Sequence, residues 1–184
     1  MYALLGEASN NKNALITNLQ KELSWVGMVG GENPKNYQIW HHRRALLEKL
    51  MEEAKASIAM TSLSSSTGGG DPLTAPASPS SSSSDPEIQQ VGKAELEYLT
   101  TVIDVDGKNY HAWSHRQWVV SYVLTSAKND VENNTVWQRE MEYTAQLLEE
   151  DIRNNSAWNH RWFALHHGAV AGRTKNKRVL SLEI

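Results

Sequence analysis

The sequence contains no cysteine, and this absence excludes several classes of protein. Without cysteine the chain has no disulfide framework, no thiolate zinc site and no cysteine nucleophile. It also lacks any stretch approaching the roughly 18 consecutive apolar residues that a membrane-spanning helix needs. The first 30 residues lack the basic start and apolar run of a secretory signal. We therefore expect a cytoplasmic protein.

An excess of positive charge is missing as well, because 18 Lys and Arg residues stand against 21 Asp and Glu residues. This balance gives no electrostatic support for nucleic-acid binding. Phenylalanine occurs once, whereas tryptophan occurs seven times and tyrosine six times. So many tryptophans in a chain of 184 residues indicate that they serve a repeated structural purpose.

Proline is scarce except in residues 61–86, which hold four of the five prolines, a glycine triplet and a serine run. Such a composition cannot bury enough apolar surface to offset chain ordering. We therefore predict a disordered insertion at 61–86, between an N-terminal helical repeat at 1–60 and two further repeats at 87–170. A smaller polar insertion is predicted near 126–135. Residues 171–184 are basic without apolar periodicity and are predicted to be a disordered tail.

Three segments of the chain, residues 22–44, 95–117 and 140–162, align without a gap. In each segment the opening glutamate lies 18 positions before a tryptophan, and an arginine follows three residues after that tryptophan. Repeats of this kind indicate a stacked architecture. The repeated pairs are Trp40 and Arg43, Trp113 and Arg116, and Trp158 and Arg161.

Each copy has the pattern of a helix, a short loop and a second helix. In the second copy, apolar residues at helical spacing precede a loop at 104–109, and Asn109 suits the N-cap of the next helix. Asn36 and Asn154 occupy the same position in the other copies. Strand patterns are scarce. We therefore predict an all-α fold, a solenoid of stacked α–α hairpins.

The residues that all three copies share are interpreted as structural. A tryptophan and an arginine three residues apart lie on one helix face, close enough for contact between ring and guanidinium. A catalytic group repeated identically three times would be unusual. The histidine two residues after each tryptophan (His42, His115, His160) has no accompanying metal-ligand pattern, so we expect no metal site in this chain.

Positions that differ between the copies carry the functional information. The first two copies place a lysine, a tyrosine and a glutamine or histidine where the loop meets the second helix, and the third copy does not. Stacking would bring these junctions to one edge, where cations, polar donors and helix N–H groups suit a phosphate-like anion. Exposed bases beside half-buried tyrosines are the alternative interpretation. The residues are Lys35, Tyr37 and Gln38 in the first copy and Lys108, Tyr110 and His111 in the second.

Three strings carry a family resemblance: PKNYQIWHHRR at 34–44, KNYHAWSHRQW at 108–118 and RNNSAWNHRWF at 153–163. They resemble the repeats of protein prenyltransferase α subunits, most closely the α subunit shared by protein farnesyltransferase and type I geranylgeranyltransferase. The resemblance covers most of 20–60 and 87–170. Because that family carries more repeats than three, the resemblance implies that this chain is a fragment or a truncated gene product.

The resemblance implies a function for the chain. In this family a crescent of helical hairpins wraps around a β subunit, and the heterodimer transfers farnesyl or geranylgeranyl from its diphosphate to the cysteine of a C-terminal Cys-a-a-X motif. The zinc is expected in the β subunit, magnesium is expected with the diphosphate, and no cofactor is expected in this chain. Without the β subunit the chain is expected to be inactive.

The resemblance also implies roles for particular residues. Lys35 matches the lysine that contacts the leaving diphosphate, and Tyr110 and His111 match the pair that lines the same site. Tyr37 is expected near the isoprenoid and the peptide, and Gln38 is expected to hydrogen-bond the substrate's terminal carboxylate. Lys108 is also expected to bind substrate.

Two alternatives remain open on the sequence. One is the α subunit of a Rab-type geranylgeranyltransferase, although the residues at 110–111 argue against it. The other is a non-catalytic helical-repeat scaffold that binds peptides.

Overall fold

The computed structural model of the chain describes residues 2–64, 86–124 and 130–180. Within these ranges the chain forms six α-helices, one π-helical segment and no strand, which confirms the predicted all-α fold. None of these helices has the length and apolar character required to cross a membrane. The helices are α1 (Tyr2–Glu32), α2 (Tyr37–Ser64), α3 (Pro86–Val105), α4 (Tyr110–Trp118), α5 (Asp130–Glu150) and α6 (Asn155–Leu180), and the π-helical segment Val119–Leu124 follows α4.

The chain divides into two compact units, Met1–Glu87 and Ile88–Ile184. The first unit contains the hairpin α1–α2, which carries the first sequence repeat. The second unit contains α3–α4 and α5–α6, which carry the second and third repeats. We refer to these as the first, second and third hairpins.

The turns inside the three hairpins are built alike. In each, the backbone N–H of an asparagine donates to the carbonyl oxygen three residues earlier at 3.0 Å. The asparagine side chain then accepts a hydrogen bond from the backbone N–H two residues later, also at 3.0 Å. The predicted N-caps are therefore confirmed: they are Asn36, Asn109 and Asn154.

Replacing Asn109 with alanine is expected to destabilise the chain by about 1 kcal/mol. The Asn109 side chain is buried and accepts from the backbone N–H groups of His111 and Ala112 at the start of α4. Alanine leaves both donors without that acceptor. The free energy of unfolding in urea measures the loss. Asn109→Ser is the control, because serine keeps a side-chain acceptor and should retain most of the stability; an equal loss in both variants would contradict capping.

Apolar residues at helical spacing hold the first hairpin together. On α2, Trp40 and Leu47 are buried where this helix packs on α1, and Val26 is buried on α1. Successive turns of α2 carry further buried apolar residues. These are Leu46, Leu50, Met51 and Ala54.

The second and third hairpins stack on each other within the second unit. Helix α4 contacts α6, and the π-helical segment contacts α5. At this junction Val120, Trp137 and Ala164 form one buried apolar cluster, against which Leu96 and Phe163 pack. Stacking of neighbouring hairpins therefore buries a shared core, as expected of a repeat architecture.

Four helices extend into the segments predicted to be insertions or a tail. Helix α2 runs to Ser64 and α3 begins at Pro86, both inside 61–86. Helix α6 continues to Leu180 and so passes the boundary suggested at residue 170, and α5 begins at Asp130, inside the polar stretch 126–135. Residues 171–180 contain alanine, lysine and arginine, which have favourable helix propensities, so this polar segment can continue α6. Most of the predicted insertion, residues 65–85, lies outside the described residues, as do 125–129 and 181–184.

Candidate functional site

The tryptophan of each repeat fastens its helix to the preceding turn. Its indole Nε1 donates to the backbone carbonyl oxygen six residues earlier in every copy. The turn and the first helical turn are thereby fixed to each other. The bonds join Trp40 to Pro34 at 2.8 Å, Trp113 to Gly107 at 3.0 Å and Trp158 to Ile152 at 2.8 Å.

The arginine and histidine of each repeat clamp its second helix to its first. The arginine Nη1 donates to a backbone carbonyl oxygen 20 residues earlier. The histidine Nε2 hydrogen-bonds the glutamate that opens the repeat, also 20 residues earlier. The structural interpretation of these residues fits both contacts. The histidine–glutamate pairs are His42 with Glu22 at 3.1 Å, His115 with Glu95 at 2.9 Å and His160 with Glu140 at 2.6 Å.

Glu140 also joins the second hairpin to the third. Arg116 of the second hairpin donates through Nε and Nη2 to the two oxygens of Glu140, both at 2.8 Å. All three side chains of this cluster (Arg116, Glu140 and His160) are almost fully buried. Burial raises the pKa of Glu140, but the hydrogen bond from His160 and the charge of Arg116 outweigh it, so the pKa is lowered overall.

The aromatic contacts of Arg116 and Trp113 also cross between hairpins. The Arg116 guanidinium carbon lies 3.9 Å from the centre of the Tyr143 ring on the third hairpin. Trp113 packs against the rings of Tyr143 and His160, at 6.2 and 5.0 Å between centres. Contact between the guanidinium and the tryptophan of the same copy stays a prediction. Burial is the main cause that raises the pKa of the Tyr143 phenol.

In the first unit, the predicted site residues lie where the turn meets α2. Lys35 is in the turn, and Tyr37 and Gln38 begin the helix. All three side chains are exposed, and the backbone N–H of Gln38 is bonded to the Asn36 cap. The Asn36 cap thus fixes the backbone from which Tyr37 and Gln38 project their exposed side chains.

In the second unit, Tyr110 and His111 begin α4 immediately after the Asn109 cap. The Tyr110 ring is exposed and meets the partly buried His111 ring edge-on, with 5.7 Å between ring centres. Tyr110 also lines a groove of about 170 Å³ that runs between α4 and α6. A phenol and an imidazole thus stand side by side at a helix start, an arrangement that can donate hydrogen bonds to an anion.

Lys108 has different surroundings from its neighbours. It is exposed and lines a groove of about 510 Å³ between the turns of the second and third hairpins. The other charged residues of this groove are all acidic. They oppose the approach of an anion, so Lys108 is less well placed than His111 to bind a phosphate. The acidic residues are Asp104, Asp106, Glu150 and Asp151.

Metal-binding groups do not come together in the described part of the chain. No three histidine, aspartate or glutamate side chains there are placed to hold a metal ion. The histidine–glutamate pairs are internal clamps between helices.

The catalytic and substrate-binding roles of Lys35, Tyr110, His111 and their neighbours stay predictions.

Hairpins that stack on one another, each with its own copy of the same clamp residues, define an α-helical repeat protein. The sequence pattern of the protein prenyltransferase alpha subunit repeat matches the chain three times, at residues 19–50, 93–123 and 137–168. These matches cover just over half of the 184 residues, and the chain belongs to the protein prenyltransferase alpha subunit family. Each match contains one complete set of clamp residues. A comparison with curated proteins found no match.

Proposed function

We propose that this chain serves as the α subunit of a heterodimeric protein farnesyltransferase or type I geranylgeranyltransferase. The complex would transfer an isoprenoid from its diphosphate to the cysteine of a C-terminal Cys-a-a-X motif. The observation that carries the proposal is the contact of the exposed Tyr110 ring with the partly buried His111 ring at a capped helix start, in a chain of this family. Family membership also implies a β subunit as partner.

The chemistry of the reaction requires donors of this kind. A carbon–oxygen bond of the isoprenoid diphosphate breaks, a carbon–sulfur bond to the substrate cysteine forms, and negative charge grows on the departing diphosphate. Lys35, Tyr110 and His111 would bind that charge more tightly in the transition state than in the ground state. The zinc expected in the β subunit would lower the pKa of the substrate thiol, so that the thiolate attacks, and magnesium is expected with the diphosphate.

The first unit would contribute to binding of the protein substrate. The Gln38 side-chain amide is exposed and has N–H groups that could donate to a peptide's terminal carboxylate. The exposed Tyr37 ring beside it offers apolar surface to an isoprenoid or to an aliphatic peptide residue. Lys108 remains a candidate for substrate binding, although the acidic groove around it favours a cationic over an anionic group.

The test is to co-express the full chain with a protein prenyltransferase β subunit and to purify the complex. The complex is expected to transfer farnesyl or geranylgeranyl from its diphosphate to a Cys-a-a-X peptide, whereas the chain alone is expected to transfer neither. A peptide with serine in place of the cysteine is the control. A stable complex without transfer, or no complex at all, would support a scaffold. Transfer to Rab proteins alone would support the Rab-type enzyme.

A further inference from the structure

One hydrogen bond joins the turn of the second hairpin to the helix cap of the third. The Asn154 side-chain Nδ2 donates to the Gly107 carbonyl oxygen at 3.3 Å, although the two residues are 47 positions apart. The same oxygen accepts from the indole Nε1 of Trp113 at 3.0 Å. Gly107 therefore accepts one bond from its own hairpin and one from the next hairpin. We call the bond from Asn154 to Gly107 the bridge.

The orientation of the Asn154 amide follows from its other bonds. Its Oδ1 accepts from the backbone N–H groups of Ser156 and Ala157, at 3.0 and 3.2 Å. The amide nitrogen is a donor and could not accept these bonds, so Nδ2 is the atom that faces Gly107. Asn154 is also buried, at 6% exposure. One side chain thus caps α6 with its oxygen and forms the bridge with its nitrogen.

Gly107 leaves the space that Asn154 occupies. A Cβ atom at position 107 would lie 3.2 Å from the Asn154 Nδ2, which is tighter than most Cβ contacts. No glycine in the described part of the chain has a positive φ, so the backbone of Gly107 does not itself require glycine. The close approach of the Asn154 amide is therefore what a side chain at this position would disturb.

The bridged turn leads directly into the candidate donors. Tyr110 and His111 begin α4 three and four residues after Gly107. The third repeat has an asparagine and a serine in place of this pair. The third hairpin thus has no equivalent donors of its own, but it contacts the turn from which the second hairpin presents them.

We propose that Asn154 is a positioning residue for the diphosphate donors Tyr110 and His111. This inference rests on the proposed function. Asn154 acts through the turn: the bridge restrains Gly107, and the turn sets where the phenol and the imidazole lie. A displacement of about 1 Å at a reacting centre can lower a rate about 10²-fold, so a bond that restrains this turn affects the chemical step.

The first experiment separates the cap from the bridge. Asn154→Ser and Asn154→Asp keep an oxygen that can cap α6, but both lose the N–H donor to Gly107. The backbone N–H groups of Lys108 and Asn109 report on the turn, because both are bonded to Asp106. In the full chain, hydrogen exchange at these two amides is expected to be about fivefold faster in both variants, as for the loss of one hydrogen bond. Helical content by circular dichroism should match the wild type.

Gly107→Ala tests the bridge from its other end. Its Cβ atom should displace the Asn154 amide and speed exchange of the same two turn amides. In a chain that already carries Asn154→Ser, the nitrogen it would displace is absent, so Gly107→Ala should add little. The matched control is Asn155, which is exposed beside Asn154 at the start of α6. Asn155→Ser and Asn155→Asp make the same neutral and charged changes and should exchange like the wild type.

The second experiment measures isoprenoid transfer in the complex with a β subunit. Asn154→Ser and Asn154→Asp are each expected to lower kcat about tenfold or more. The KM for the Cys-a-a-X peptide should change little, because Gln38 of the first hairpin is the residue proposed to bind its carboxylate. In a His111→Ala background Asn154→Ser should cost much less, since the donor that it misplaces is gone. The Asn155 variants should transfer like the wild type.

Three results would overturn the positioning role. Unchanged exchange in both Asn154 variants would mean that the bridge does not hold the turn. Faster exchange with undiminished kcat would mean that the position of the turn does not matter to the reaction. An undiminished loss in the His111→Ala background would assign the effect to general stability. A wild-type complex that assembles without transfer overturns the proposed function, whereas failure of the bridge appears in the exchange rates whether or not transfer occurs.

Discussion

Replacing Glu140 with alanine is expected to destabilise the second unit by about 3–5 kcal/mol, because it leaves a buried guanidinium without its carboxylate. Arg116 and His160 both bond to Glu140, and none of the three side chains is more than a few per cent exposed. The substitution therefore removes the clamp inside the third hairpin and the link to the second hairpin together. Urea unfolding followed by tryptophan fluorescence measures the change.

Glu142→Ala on the same helix is the matched control for Glu140→Ala. Glu142 is exposed and bonds Gln138, so its removal should change the free energy of unfolding by less than about 0.5 kcal/mol. Glu140→Gln should fall between the two, since it keeps a hydrogen-bond acceptor but loses the charge. A Glu140→Ala chain as stable as Glu142→Ala would show that the buried cluster contributes nothing net to stability.

The pH dependence of the free energy of unfolding tests whether the charge of Glu140 causes the stabilisation. His160 and Arg116 lower the pKa of Glu140 against the opposing effect of burial, so the folded state favours the ionised carboxyl more than the unfolded state does. The resulting stabilisation is complete above the unfolded pKa of about 4.3 and is lost as the pH falls through the lower folded pKa. The stability difference between the wild type and Glu140→Gln should therefore shrink below about pH 4.

Local chemistry explains why the hairpins and their caps could be predicted from the sequence. An asparagine four residues before a tryptophan caps the helix through bonds to N–H groups within three residues, so one short string specifies it. The histidine–glutamate clamp was missed, although its signal was present. The spacing from Glu22 to His42 recurs unchanged from Glu140 to His160, and a carboxylate and an imidazole at a repeated distance could have been paired.

Contacts between hairpins could not be predicted in the same way. The bond from Arg116 to Glu140 depends on how the second and third hairpins stack, which no spacing within one repeat specifies. The acidic groove beside Lys108 arises similarly, since Asp106 and Glu150 belong to different hairpins and meet only after stacking. The candidate donors at the helix starts could therefore be predicted from the sequence. The acidic surroundings that distinguish Lys108 from His111 could not.

Replacing Lys35 with alanine in the complex with a β subunit is expected to lower kcat for isoprenoid transfer by about 10²–10³-fold, the usual loss when one transition-state charge donor is removed. Lys35 lies exposed in a turn, outside the buried core of the first hairpin, so assembly should be unaffected. Single-turnover transfer to a Cys-a-a-X peptide measures the chemical step, and co-purification measures assembly.

The control for Lys35→Ala removes the same charge from the same hairpin. Lys49 is an exposed lysine of α2 that pairs with Glu52 and Glu53, and Lys49→Ala should leave kcat unchanged. His111→Ala and the double variant with Lys35→Ala extend the test. If Lys35 and His111 act on the same leaving diphosphate, the effect of each on kcat depends on the other. The double variant should then lose less kcat than the product of the two single losses. Undiminished turnover in Lys35→Ala would remove Lys35 from the catalytic step, and strictly additive losses would mean that Lys35 and His111 act separately.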